Sequence, residues 1–142
     1  MIRTRVITVL AFNNGVLFRT RGFVPDYRYT ANFIDTWSVD EIIALDISRP
    51  GQGDRDNFER AVIDIARECF VPLTVGGGVR SLADFRRLLS IGADKVAVNT
   101  GALDDPSLVE AAAKTFGTQC VVACVDAART AALAGPRERR RV

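Results

Sequence analysis

Short apolar runs alternate along the chain with longer segments of helical period, and this alternation limits the possible folds more than any other feature of the sequence. The predicted strands span residues 6–10, 42–46, 72–75, 95–98 and 120–125. Each run is almost continuously apolar, as expected for the strands of a parallel sheet that is covered on both faces. Strands that alternate with helices are typical of repeated βαβ units. The sequence therefore predicts an α/β fold built on a parallel sheet.

Local signals support the individual elements. Helix starts are predicted at Asp54 or Asp56, at Ser81 with Asp84 in capping-box spacing, and at Asp105 followed by Pro106. Gly92 and Gly117 are predicted to end the second and third helices. The Asn14-Gly15 step before the apolar residues 16–18 favours a tight hairpin turn. The residues predicted to face the core are Phe58, Val62, Ile65, Cys69, Leu82, Phe85, Leu88, Leu89, Val109, Ala112 and Phe116.

The number of units indicates the architecture. A complete β/α barrel contains about eight strand–helix pairs in ~250 residues, whereas this chain supplies about four and a half. We therefore predict a half parallel β/α barrel of the TIM type, similar to ribulose-phosphate-binding barrels, over residues 1–129. Residues 130–142 show no strand pattern and are expected to form a disordered basic tail. The open parallel edge predicts pairing with another chain, including formation of a homo-oligomer.

Composition excludes several classes of function. The formal net charge is +2, but residues 137–142 contain four arginines and one glutamate, a net charge of +3 that leaves −1 for the rest. A basic surface for nucleic acid is therefore not expected. No apolar run approaches the ~20 residues of a membrane span, and no secretory signal is recognised, so we expect a cytoplasmic protein without membrane contact. The chain has no histidine, so acid–base chemistry would depend on Asp or Glu, and neither a metal nor a cofactor is predicted.

Glycines and polar residues follow two neighbouring strands, at the end of a parallel barrel where reactive groups lie. Gly76, Gly77 and Gly78 allow backbone N–H groups to approach an anion, and Asn99 and Thr100 follow the next strand. These residues are candidates for a phosphate site. The alternatives are a tight turn that needs positive φ at the glycines, and a simple cap at Asn99 and Thr100.

Carboxylates end two other strands. Asp46 and Asp126 each follow an apolar run, where an ionised carboxylate is costly unless it is paired or exposed in a cleft. Both are candidates for catalysis or substrate binding, and the alternative for both is a structural role in which they accept hydrogen bonds from loop amides. At the opposite ends of the strands, Arg5, Glu41 and Lys95 are expected to meet, and ion pairing is the simplest explanation for them.

Four blocks of this sequence resemble the cyclase subunit of imidazole glycerol phosphate synthase, the HisF-type family: residues 40–47, 71–80, 92–100 and 116–122. The resemblance extends over residues 1–129. It implies a barrel that takes ammonia from a glutaminase subunit docked at its bottom. At the top, that ammonia is used to convert a phosphorylated formimino nucleotide into imidazole glycerol phosphate in histidine biosynthesis.

The resemblance also assigns roles to single positions. Asp126 matches the second of two acid–base aspartates, but Ala11 stands at the position of the first, which argues against ordinary cyclase chemistry. Positions implied in substrate or phosphate binding are Gly78, Asn99, Thr100, Asp46 and Arg19, the last replacing a family lysine. Positions implied in the ammonia gate and in docking of the glutaminase are Arg5, Glu41, Lys95 and Asp94.

Three hypotheses remain open. The first is a HisF-type subunit that handles ammonia at a phosphate-binding barrel, as in the histidine pathway. The second follows from residues 20–39, a segment shorter than in the histidine enzyme that resembles a divergent branch delivering ammonia for amidotransfer to a surface-polysaccharide sugar. The third is an inactive, truncated chain.

Overall fold

The computed structural model describes residues 4–17, 19–21, 24–26, 39–49, 51 and 54–126, with backbone alone for 19–21 and 24–26. Its strands are β1 (Ile7–Asn13), β2 (Val16–Leu17), β3 (Arg19–Arg21), β4 (Val24–Asp26), β5 (Glu41–Asp46), β6 (Leu73–Gly76), β7 (Lys95–Val98) and β8 (Val121–Ala123). Its helices are α1 (Arg55–Glu68), α2 (Leu82–Ser90), α3 (Thr100–Asp104) and α4 (Ser107–Phe116), with a 3₁₀ turn at Thr118–Cys120. The predictions for the 20–39 segment and for the tail 130–142 fall mainly or wholly outside the described residues.

The main sheet has the strand order β2-β1-β5-β6-β7-β8. Strands β1, β5, β6, β7 and β8 run parallel, and β2 pairs antiparallel with the end of β1. In the described residues β3 and β4 form a separate antiparallel pair. Asn14 and Gly15 have φ values of 53° and 71°, which confirms the predicted hairpin turn. The arrangement is the half of a β/α barrel that the pattern of elements predicted.

Three predicted strand boundaries were wrong. Strand β1 continues to Asn13, so Ala11 lies inside the strand and does not follow it. The strand is longer because Phe12 is buried and pairs with both Leu17 and Asp46. Strand β8 is shorter than predicted, since Cys120 closes a 3₁₀ turn by donating its N–H to the Gly117 carbonyl. Similarly, Gly76 is the last residue of β6 and not part of the following loop.

The helix caps largely agree with the sequence signals. The Asp54 side chain caps α1 by accepting from the Asn57 N–H, and Ser81 and Asp84 form the complete capping box of α2. For α4 the prediction was one residue early, because the helix begins at Ser107 and Pro106 precedes it. The short helix α3 was not predicted, since five residues are too few to show a periodic pattern.

The core lies between the sheet and helices α1, α2 and α4. On β1 the side chains alternate, with Leu10 and Phe12 buried against the helices while Ile7 and Val9 are 47% and 58% exposed. The exposed set faces the side that lines the interior of a complete barrel. None of the helices within the described ranges is both long enough and apolar enough to cross a membrane.

Candidate functional site

The two loops proposed to hold phosphate lie side by side. Strands β6 and β7 are parallel neighbours with Gly76 opposite Ala97, so the segments that follow them leave the sheet at the same rim. Gly101, in the first turn of α3, packs on the Val79 carbonyl, because a Cβ at Gly101 would lie 2.3 Å from that oxygen. The glycine loop and the start of α3 are therefore in direct backbone contact.

The glycine loop also packs against the end of β5. Gly77 has a φ of +114°, and a Cβ there would lie 2.3 Å from the Asp46 carbonyl oxygen. Only glycine fits this position without moving the backbone of β5. The requirement for positive φ, which was the alternative interpretation of the triple glycine, thus holds at Gly77 and also at Gly78, where φ is +62°.

The side chain of Asp46 has a local structural contact. Its Oδ1 atom accepts a hydrogen bond from the Ser48 N–H at 2.9 Å, and the Ser48 hydroxyl oxygen accepts in turn from the Asn14 N–H at 2.9 Å. Asp46 is half-buried. Asp46 therefore accepts a hydrogen bond from a loop amide, which is the structural alternative considered for it from the sequence. It also lies next to the glycine loop.

Asn99 and Asp126 come together although 27 residues separate them. The Asn99 Nδ2 atom donates to the Asp126 Oδ2 atom at 2.9 Å. The Cys124 N–H donates to the Val98 carbonyl at 2.9 Å, which continues the pairing of β8 with β7 towards Asp126. Burial raises the pKa of the Cys124 thiol and the charge of Asp126 adds to this, so the thiol is protonated at neutral pH.

The row of residues that are in register across the sheet, just before these loops, contains no ionisable side chain. Ala11 is in register with Leu45, Leu45 with Gly76, Gly76 with Ala97, and Ala97 with Val122. Residues in register share a face of the sheet, so this row is uniformly small or apolar. Arg19 lies in β3, and its side chain is outside the described part of the chain.

The opposite rim holds an ionic cluster formed by the charged residues at strand starts. Lys95 Nζ lies 2.9 Å from Glu41 Oε1, which also accepts from the Thr74 hydroxyl at 3.1 Å, and Arg5 Nη2 lies 3.5 Å from Glu41 Oε2. The Glu41 side chain is 9% exposed. The hydrogen bond from Lys95 holds the pKa of Glu41 below its ordinary value, against the effect of burial, and Thr74 and Arg5 contribute. Glu41 is thus ionised at neutral pH.

Asp94, the other residue assigned to this rim, is exposed, and its Oδ2 atom accepts from the Leu73 N–H at 2.8 Å. This hydrogen bond connects the turn before β7 to the start of β6. Asp94 therefore has a structural contact through one oxygen and stays accessible from solvent.

One contact of the glycine loop was missed from the sequence. Arg55 Nη1 donates to the Gly77 carbonyl at 3.2 Å, although Arg55 begins the helix after β5 and Gly77 follows β6. A cation in the first turn of a helix opposes the helix dipole, which favours acidic residues there. That unusual placement is the one sequence signal that could have drawn attention to Arg55.

Comparison with known proteins agrees with this fold. Residues 8–142 match the sequence profile of the family described as Histidine biosynthesis protein. The chain is 44% identical over 115 residues to imidazole glycerol phosphate synthase subunit HisF of Dictyoglomus turgidum, covering 81% of this chain and 45% of the relative. It is 40% identical over 136 residues to the HisF subunit of Lactococcus lactis, covering 92% and 52%.

A Campylobacter jejuni protein named as subunit hisF2 of imidazole glycerol phosphate synthase is 38% identical over 135 residues, covering 91% of this chain and 53% of the relative. The chain thus spans about half the length of the curated relatives that it matches. The family match contains β5, β6, β7 and β8, nearly all of β1 and the loops of the candidate phosphate site. This chain belongs to the histidine biosynthesis protein family and corresponds to part of a HisF-type cyclase subunit.

Proposed function

We propose that this chain contributes the phosphate-binding half of a HisF-type barrel. Its Gly76–Gly78 loop and Asn99–Thr100 would hold the phosphate of a phosphorylated small-molecule substrate, with Asp46, Arg19 and Asp126 facing the rest of that substrate. The observation that carries the proposal is the convergence of these segments at one rim, where Gly101 contacts Val79 and Asn99 contacts Asp126. Gly78 is exposed there, so an anion can reach its backbone.

The second part of the proposal concerns ammonia. Arg5, Glu41 and Lys95 form a cluster of fixed charges at the opposite rim, as a gate for a small polar molecule would need, and Asp94 is exposed beside them. We infer that a glutaminase subunit docks at this rim and supplies ammonia. The separation of the two rims by the length of the strands allows ammonia to enter at one rim and react at the other.

Ala11 favours a second candidate function for the same site. A HisF-type cyclase uses two aspartates as acid and base, and at the position of the first this chain has a methyl group in an apolar row. A barrel that passes ammonia on for amidotransfer to a surface-polysaccharide sugar would not need that aspartate.

Titration with inorganic phosphate tests the phosphate site directly. In ¹H–¹⁵N spectra, the amide resonances of Gly77, Gly78, Asn99 and Thr100 should shift together with an affinity on the order of millimolar, as expected for a small anion held by few contacts. Thr100→Glu should weaken binding by adding a negative charge at the rim. Thr115→Glu, an exposed position at the far end of α4, adds the same charge elsewhere and should leave binding unchanged. Phosphate that leaves all four resonances unmoved would contradict the proposal.

The Ala11→Asp variant separates the two enzymatic candidates. Ammonia-dependent turnover of the formimino nucleotide that appears only in this variant would show that the barrel lacks one acid and is otherwise a cyclase.

The proposed ammonia gate is tested by binding of a purified glutaminase subunit, which is expected to weaken in Lys95→Ala and Asp94→Ala. No binding by the unmodified chain at tens of micromolar would remove the glutaminase from the proposal.

A further inference from the structure

Arg55 connects two loops that the sequence places far apart. It is the first residue of α1, after β5, and its Nη1 atom donates to the Gly77 carbonyl at 3.2 Å in the loop after β6. A Cβ placed on Gly78 would lie 2.9 Å from the same nitrogen. The guanidinium group therefore lies directly beneath the Gly77–Gly78 peptide unit.

That contact determines which way the peptide unit faces. The described residues contain no cis peptide bond, and in a planar trans unit the C=O of one residue and the N–H of the next point in opposite directions. With the Gly77 carbonyl directed at Arg55, the Gly78 N–H points away from Arg55. Gly78 is exposed, so a ligand can approach this peptide unit from solvent.

A peptide unit between two glycines has little steric preference of its own. Glycine adopts positive and negative φ with similar ease, so the Gly77–Gly78 unit could rotate and present its carbonyl oxygen outwards. An outward carbonyl would repel a phosphate, whereas an outward N–H binds it. The orientation has to be set by a group outside the loop, and Arg55 supplies that group.

The hydrogen bonds of Arg55 do not by themselves explain why its guanidinium group is buried. Its Nε and Nη2 atoms are buried without a hydrogen-bond acceptor among the described residues, an arrangement that is unfavourable for a cation. Glu59 Oε1 lies 3.6 Å from Arg55 Nε and 3.0 Å from Arg87 Nε, and these contacts are ionic and lack hydrogen-bond geometry. The guanidinium is therefore held in place by charge while one nitrogen is directed at Gly77.

The same ionic chain reaches the residues that follow the glycine loop. Arg87 Nη2 donates to Asp84 Oδ1 at 3.2 Å, and Asp84 Oδ2 accepts from the N–H groups of Arg80 and Ser81 at 3.1 and 3.0 Å. Burial opposes ionisation of Asp84, but hydrogen bonds from the Arg80 N–H and the Ser81 hydroxyl, together with the charges of Arg55 and Arg87, hold its pKa below the ordinary value. One network thus connects α1 and α2 and holds the Gly77 carbonyl and the N–H groups of Arg80 and Ser81, which follow the glycine loop.

We propose that Arg55 is a positioning residue that fixes the Gly77–Gly78 peptide unit with its N–H outward, and so prepares the loop for a phosphate. This inference rests on the phosphate site proposed above. It assigns to Arg55 no contact with the substrate, since its hydrogen bond goes to the backbone of the loop.

The test compares Arg55→Met with Arg60→Met, which removes the same charge from an exposed position on the same helix. Without ligand, relaxation-dispersion NMR should show new microsecond-to-millisecond exchange at the amides of Gly77, Gly78 and Val79 in Arg55→Met only. With inorganic phosphate, Arg55→Met should bind about fivefold more weakly, because the outward N–H is then present in only part of the molecules. Arg60→Met should behave as the unmodified chain in both measurements.

Unchanged loop dynamics in folded Arg55→Met would overturn the proposal, even if the phosphate affinity fell, because Arg55 would then act through its charge alone. Should Arg55→Met fail to fold, Arg55→Lys serves instead, since it keeps the charge but loses the fixed fork of donors, and the same exchange is expected. If the unmodified chain binds no phosphate, the phosphate site fails, while the ligand-free dynamics still decide whether Arg55 positions the loop.

Discussion

Removal of the Lys95 charge gives the most quantitative prediction, because it leaves the Glu41 carboxylate buried with weaker partners. Two unit charges 2.9 Å apart attract by about 6 kcal/mol at an effective dielectric constant of 20. The desolvation of both groups offsets much of that attraction, and removal of one partner from a buried pair costs ~3–5 kcal/mol in total. Lys95 is 29% exposed, and Thr74 and Arg5 remain near Glu41. We therefore expect Lys95→Met to lower the free energy of unfolding by about 2–3 kcal/mol at pH 7.

The dependence on pH provides an internal check. The pKa of Glu41 is lowered in the folded chain from an ordinary value of 4.5, so its stabilising contribution is present above that value and is lost as the pH falls through the folded pKa. Lys95 is the main cause of the lowering, so the variant loses this contribution. The difference in unfolding free energy between the two proteins should therefore be largest at pH 7 and shrink below pH 4.5.

Urea unfolding followed by circular dichroism at pH 7 and at about pH 3, well below the ordinary pKa of Glu41, measures both effects. Lys114→Met is the matched control, because Lys114 also pairs with a glutamate, Glu110, but the two side chains are 74% and 69% exposed. A surface pair of this kind contributes less than about 0.5 kcal/mol. The reasoning would be refuted if Lys95→Met destabilised the chain no more than Lys114→Met, or if its effect were the same at both pH values.

Three further changes should have measurable effects on unfolding by urea. Gly77→Ala combines a φ of +114° with a Cβ 2.3 Å from the Asp46 carbonyl oxygen, so the free energy of unfolding should fall by at least about 2 kcal/mol. An unchanged free energy of unfolding would mean that the backbone of β5 can move aside at little cost. Ser81→Ala removes the cap of α2 and should cost about 1 kcal/mol, with no effect expected if Asp84 alone holds the first turn. Phe85→Ala empties a fully buried site and should cost about 3–5 kcal/mol, whereas a loss below about 1 kcal/mol would indicate a loosely packed core.

The elements of the fold could be predicted because their signals are local. The capping box at Ser81 and Asp84, the hairpin at Asn14-Gly15 and the strand Lys95–Val98 all occur where the residues alone indicated them. Errors occurred at boundaries, such as β1 and Ala11, where burial by a neighbouring strand prolongs an element beyond its local pattern.

The candidate site was predictable only as a set of strand ends. Parallel strands bring their carboxyl ends to one rim, so Asp46, the glycine loop and Asn99 could be expected to lie at the same rim. Which of them touch could not be deduced. The bond from Asn99 to Asp126 and the packing of Gly77 on Asp46 depend on the curvature of the sheet and on loop conformations, which no local pattern specifies.

By itself, the sequence determined the order of the parallel strands and of the longer helices and the caps of α1 and α2, because these follow from backbone sterics and hydrogen bonding over a few residues. The tertiary structure alone decided the contacts between distant segments. Arg55, for example, reaches Gly77 across 22 residues, a contact that no sequence pattern predicted. Such contacts form because packing of helices on the sheet brings long charged side chains to particular neighbours, and their energy depends on a burial that exists only once the chain has folded.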